Sequence, residues 1–360
     1  MNRTRTSLRP LSTTRSLWGM AAVILAVHLI GWGVFAVAVL PHSYQLGDGS
    51  MVFGLGLAVT AYVLGARHAF DPDHIAAIDN ATRRLTDAAV PPVSTGFWFA
   101  LGHSSVVVAV VALVAAGFGG VSSQLSDDGS VLRQFAGLWG PLVSGCFLLL
   151  IGAVNLVSLA GILRSAKGLR SSTAAETELE QRLHERGIVS RFLAPVADRV
   201  DKPWKLYPLG MLFGLGLDTA TTIALFVVAG GAVAVLPWHV VMVLPVLFTA
   251  GMVLCDTLDG VMMSRVYQWA FDQPGRRVFY NVVVTSVSIV IAFVVAAVVL
   301  GGLASGLLGV DAGPIAWVGS LDLEHLGYVI VAIFLVAWLG AVAVWKLARY
   351  EERSTVPAGR

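Results

Sequence analysis

The chain has 360 residues, 56% of them hydrophobic and only 13% charged, and its mean hydropathy is +0.78. Soluble domains carry about a quarter charged residues, so this composition excludes an ordinary soluble domain and reads as a polytopic membrane protein. The formal net charge is +2, and the two cysteines, Cys146 and Cys255, both lie in apolar runs, which excludes a disulfide scaffold and a thiolate zinc cluster.

A bilayer core needs about 20 apolar residues per helix. Eight segments meet that requirement, giving an all-α fold with spans at 17–40, 51–80, 93–119, 135–163, 208–231, 237–265, 278–304 and 325–348. The first follows a basic tail, residues 1–16. It is too long for a signal-peptide core and lacks a clear small-residue cleavage site, so it reads as a retained helix. Span two contains "RHAFDPDH", residues 67–74, an unusual density of ionisable groups. Span three carries His103 in "ALGHSSVV", and span four carries Asn155. The connection 164–207 is the sizeable soluble part. Its "TAAETELEQRLHERG" has helical spacing and mixed charge, which predicts a solvated helix with His184 on its surface. Span five contains Asp218 in "GLGLDTATT", and span six contains Asp256 and Asp259 in "LCDTLDG". The chain thus divides into a four-helix half, 17–163, a loop, 164–207, a second half, 208–348, and a tail, 349–360. "FGLGL" at 53–57 and 213–217 has the placement an inverted repeat requires.

Lys and Arg set the orientation. All 24 except Arg67 and Arg133 fall in or at the edge of the two tails or the connections after spans two, four and six, which include Arg83, Arg84, Arg265 and Arg276. Both termini and the long loop are therefore expected on the cytoplasmic side. The opposite connections hold Asp48, Asp127, Asp128, Asp311, Asp322 and Glu324, a weakly acidic outer face that attracts cations.

Ionisable residues within spans mark functional sites by default. His74 lies nine residues before Arg83, His103 eleven after Pro92, Asp218 eleven after Tyr207 and Asp256 nine before Arg265, each counted from the cytoplasmic side. That is about 14–17 Å, near the middle of a ~30 Å core, so four helices bring polar groups to one depth. At that level Asp71, Asp73, Asp218, Asp256 and Asp259 face the single cation Arg67. Such an excess of carboxylate in low dielectric demands protons or a bound cation. Neutral imidazole beside carboxylate suits a first-row transition metal, whereas calcium and magnesium prefer oxygen alone.

His68 and Asp71, and Asp71 and His74, are three residues apart and can share a helix face. Pro72 either kinks that helix or, with Asp71 as N-cap, starts a new half-helix. In both cases the carbonyl of His68 is expected to be freed. The candidate metal ligands are His68, Asp71, Asp73, His74 and His103. Arg67, Ser104, Asn155, Asp218, Thr219, Asp256 and Asp259 are candidates for the translocation path or for bracing the ligands from behind. Asp218 serves equally as a cap or as a partner of Thr219 and Thr222. His28, isolated in span one, reads as a packing residue, and His42, His239 and His325 as interfacial ones.

These motifs resemble those of the nickel/cobalt transporter (NiCoT) family. "RHAFDPDHIAAIDN" is similar to its second-helix signature, "LGHSSVV" to its third-helix motif, "LGLDTATTIAL" to the fifth and "GMVLCDTLDG" to the sixth, in the same order between about 51 and 265. The resemblance implies a secondary permease of the high-affinity type, carrying Ni2+ and/or Co2+ across the cytoplasmic (inner) membrane as cargo, with no prosthetic group. It also implies that His68, Asp73 and His74 are essential to transport. Two positions depart from the family pattern: Pro72 stands where a small residue is usual, and Thr222 where an acid is usual. The expected partners are the metal ion and the bilayer, with proton coupling added and no nucleic acid. Two other readings compete. One is efflux rather than uptake. The other is an intramembrane metalloenzyme, which needs an open metal position and a general base; the chain has no His-Glu-x-x-His and too few placed histidines for a di-iron oxidase.

Overall fold

In a computed structural model, residues 10–42, 44–46, 51–116, 129–168, 201–216, 236–271, 274–321 and 327–333 are described, with a few single positions besides. They are almost entirely helical. α1 is Pro10–Val34, continued by a π-helical turn Phe35–Val39; α2 is Leu55–His68, α3 Pro72–Asp87, α4 Thr95–Ala115 and α5 Val131–Gly168. A 3-10 turn, Pro203–Lys205, leads into α6, Leu206–Gly214. Then come α7, Trp238–Val241, α8, Val243–Phe271, α9, Pro274–Leu308, and α10, Pro314–Gly319. Residues 327–333 are helical as well. The exception to the all-α expectation is a two-residue antiparallel ladder, Gln45–Leu46 with Met51–Val52, at the start of the second predicted span.

Among the described residues, five helices are long and apolar enough to cross a bilayer: Thr13–Val39, Thr95–Ala115, Val131–Val157, Trp238–Gln268 and Thr285–Leu308. They coincide with predicted spans one, three, four, six and seven. Span two is divided between α2 and α3, of 14 and 16 residues, neither of which reaches across a bilayer alone. Span five is described only through its first part, α6, and span eight mainly through 327–333; Asp218, Thr219, Thr222, His184 and His325 lie outside the described residues. Large apolar side chains such as Leu25, Leu29, Val37, Leu258 and Val290 point outward. In water they would form a continuous adhesive surface; in lipid they meet an equivalent solvent. Cys146 is exposed on this surface, not buried as its apolar run predicts.

α8 is the spine, with α1, α2, α3 and α4 packed around it. Lipid is as apolar as leucine, so helices gain little from burying Leu or Val and depend on close van der Waals fit. Glycines supply that fit. A Cβ at Gly65 of α2 would overlap the backbone carbonyl of Phe248 on α8, and one at Gly96 of α4 would overlap the carbonyl of Asp256. α8 is thereby held against α2 on one side and α4 on the other, with Phe248, Leu244, Met252, Phe97 and Ala100 filling the buried seam.

Arg83 differs from expectation. The charge count assigns it to a connection, but α3 continues to Asp87 and Arg83 is buried within it, 3% exposed.

Candidate metal site

The helix break sets the site. α2 ends at His68, Asp71 is extended (φ −63°, ψ 136°), and α3 begins at Pro72. Proline fixes its own φ at a helical value and pushes the preceding residue out of the helical region, so Asp-Pro both stops one helix and starts the next. The half-helix alternative for Pro72 is the one realised. The expected free carbonyl is not: the His68 oxygen accepts the Asp71 N–H at 3.0 Å, in a turn that bridges the break. The break is clamped from outside. A Cβ at Gly327 would fall on the Phe70 carbonyl, so the helical segment 327–333 sits directly on the turn, with Tyr328 stacked on Phe70 at 5.5 Å.

Two helix ends therefore converge. Arg67 and His68 lie in the last turn of α2, and Asp73 in the first turn of α3. Each charge type sits at the helix end whose dipole favours it.

Three imidazoles meet there. His68 and His74 flank the break, and His103 comes from α4; they are 1%, 1% and 5% exposed. Ring centroids are 4.6–4.8 Å apart pairwise. The Nε2 atoms of His68 and His103 are 3.0 Å apart, and one available nitrogen from each ring lies within 4.8 Å of the others. Nitrogens about 2.1 Å from a shared ion stand about 3–4 Å apart, so the His68–His103 pair already has a coordinating spacing and the widest pair needs to close by at most about 2 Å. Phe99 and Phe248 wall the cluster, with ring centroids 4.8 Å from His74 and 5.6 Å from His68.

Two carboxylates stand behind these rings. Asp256, 0% exposed, has Oδ2 3.4 Å from His74 Nδ1, and Asp71 has Oδ2 3.1 Å from His68 Nδ1. The Asp256 contact is a hydrogen bond that holds the proton on His74 Nδ1 and leaves Nε2 as a lone-pair donor, whereas Asp71 Oδ2 is close to His68 Nδ1 without hydrogen-bond geometry. His103 Nδ1 and Asp256 Oδ1 are buried without a hydrogen-bond partner among the described residues. Buried polar atoms of this kind are costly unless a bound ion or water meets them.

The other predicted residues are less uniform. Asp73 Oδ1 accepts the His74 N–H at 3.0 Å. Asp73 and Arg67 line a cavity of about 1080 Å³ that ends at the histidines and runs between the start of α5, at Val131 and Arg133, and the end of α9, at Leu307. Ser104 is buried against Met252, its Oγ 4.0 Å from the sulfur. Asp259 is one turn further along α8, with Oδ2 buried and unpartnered among the described residues. Asn155 hydrogen-bonds Asn80 rather than the cluster. His28 reaches the Ile24 carbonyl at 2.8 Å and Tyr62 at 3.3 Å, His42 stacks on Tyr44, and His239 lies against Trp238.

Sequence reading missed Asp79, Asn80, Arg83, Tyr267 and Ser288, which form a second buried polar layer. Their signal is the i,i+4 pair Asp79 and Arg83: Asp79 lies at the very end of the predicted span 51–80 and Arg83 falls to the connection after it.

Buried imidazoles at a helix break, backed by carboxylates and reached by a cavity among lipid-facing helices, define a polytopic membrane protein of the metal-transporter class. The model of the high-affinity nickel-transport protein (NicO) family matches residues 54–344, and the chain belongs to that family. It is 46% identical to the nickel transporter NicT of Mycobacterium tuberculosis over 337 residues, 93% of this chain and 90% of the relative. Identity to the nickel transporter NixA of Staphylococcus aureus is 39%, over 92% of this chain and 95% of the relative. The cobalt transport protein NhlF of Rhodococcus rhodochrous is 36% identical, over 91% and 92%. No solved structure matches the chain.

Proposed function

We propose that the chain is a secondary permease that takes up Ni2+, Co2+ or both across the cytoplasmic membrane, and that His68, His74 and His103 bind the ion in transit. The observation that carries this reading is the buried convergence of three imidazole nitrogens, a donor set suited to late first-row divalent metals. Asp256 orients the His74 imidazole, Asp71 stands beside that of His68, and Arg67 and Asp73 face the approaching ion. Asp218 and Thr219 complete the path from span five in this reading, with Asp259 below.

The proposed topology has eight spans, both termini inside, and the loop 164–207 inside between two four-helix halves. With that orientation the cavity faces outward, since the starts of α5 and the end of α9 adjoin the acidic connections. In this reading the cavity is where an imported ion enters. Proton coupling belongs to the same reading, because a proton and the metal compete for one imidazole lone pair.

The test is uptake of radiolabelled nickel and cobalt by cells expressing the chain, alongside His68→Ala and His74→Ala. The parent accumulates at least one metal and both variants lose accumulation. A parent that moves neither metal defeats the transport reading. Variants that transport normally defeat the site.

A further inference from the structure

On the far side of the histidines from the cavity, a second buried polar layer ties α3, α5, α8 and α9 together. Asp79 of α3 is 0% exposed. Its Oδ1 accepts the Tyr267 hydroxyl of α8 at 2.5 Å, and its Oδ2 accepts the Ser288 hydroxyl of α9 at 2.7 Å. The next residue, Asn80, takes a hydrogen bond from Asn155 of α5. Arg83 follows one turn along α3, buried, with Nε and Nη1 unpartnered among the described residues.

Its position follows from which part of each helix it uses. The cavity is lined on α5 by positions from Val131 to Ser144 and on α9 by positions from Val295 to Leu307. Asn155 and Ser288 lie beyond those limits on the opposite side of the cluster. Asp79 is five residues past His74, about 7.5 Å along α3. No residue of this layer lines the cavity. Apolar groups pack beside it, including Ile75, Leu148 and Ile291 with Tyr267, and Ile78, Phe99 and Phe213 near Ala77.

An apolar plug would seal such a layer with no desolvation cost, so a buried carboxylate there calls for another reason. Satisfied polar networks select one arrangement of helices, and unlike an apolar plug they can exchange their partners for water when the helices part. We propose that Asp79, Tyr267 and Ser288, with Asn80 and Asn155, form the inner gate: joined while the cavity is open on the other side, and parted to let the ion leave the histidines inward. The inference rests on the proposed metal site and orientation.

The test places a reporter beside the layer. Ala81, 3% exposed, is changed to cysteine in a background with Cys146→Ala and Cys255→Ala, and labelled by a membrane-impermeant maleimide in inside-out vesicles. Labelling is slow with the gate intact. Tyr267→Phe, and separately Ser288→Ala, each remove one hydrogen bond to a carboxylate and speed labelling about tenfold or more. Nickel binding by equilibrium dialysis stays within about threefold of the reporter parent. Unchanged labelling in variants that still bind nickel overturns the gate. So does loss of nickel binding in both variants, which makes the layer a brace of the site. A reporter parent that binds no nickel is a different failure, that of the metal-site reading.

Discussion

Asp256→Asn is the sharpest probe of how the cluster is held. Asp256 is fully buried, and its Oδ2 lies 3.4 Å from His74 Nδ1. In the parent it accepts the Nδ1 proton and keeps the Nε2 lone pair available to metal. Asparagine has nearly the same shape, so packing against Gly96 is kept and no cavity opens. Its amide can turn to donate to Nδ1, which moves the ring proton to Nε2, where it blocks the metal. Loss of a partner behind a metal-binding histidine costs about 10- to 100-fold in metal affinity. At about 1.4 kcal/mol per tenfold, that is about 1.4–2.7 kcal/mol for one 3.4 Å contact. The assay is equilibrium dialysis of purified protein with radiolabelled nickel, with Asp259→Asn in parallel. Asp259 lies a turn further along α8 and changes affinity much less. Equal, small effects from both substitutions would refute the reasoning, because the loss then reflects general charge and not a fixed imidazole.

Other expectations are independent of that contact. His103→Ala removes a donor contributed by a different helix from the other two, and nickel affinity falls at least about tenfold in the same dialysis. Gly65→Ala drives a methyl into the Phe248 carbonyl and costs about 1–3 kcal/mol, read as a lower thermal unfolding midpoint in detergent. Pro72→Ala leaves nickel affinity within about threefold, because Gly327 packed on the Phe70 carbonyl holds the break; a larger loss would make proline itself the cause.

Much of this site is legible in the sequence. Counting depth from the expected span ends puts His74, His103 and Asp256 near one level, although the Arg83 that sets the count for His74 is itself buried in α3, and the structure brings those three together with His68. Asp-Pro in "FDPD" announces the half-helix, because the constraint is local to two residues. Partner choice is not local. Whether the His68 carbonyl stays free depends on the turn closing back through Asp71, and only the three-dimensional path shows that it does. Asp79 and Arg83 were hidden for another reason. A hydropathy boundary takes Arg83 and Arg84 as the membrane edge, and Asp79, just inside it, reads as part of that edge. Here Tyr267 and Ser288, distant in sequence, make a buried place for Asp79.

The central claim is that His68, His74 and His103 together bind the transported ion. X-ray absorption of the nickel-loaded protein tests it most directly, since imidazole gives a distinctive outer-shell scattering. The account predicts about three imidazole nitrogens at about 2.0–2.1 Å, with one fewer in His68→Ala, His74→Ala or His103→Ala. A nickel environment of oxygen donors alone, unchanged by those substitutions, would contradict it.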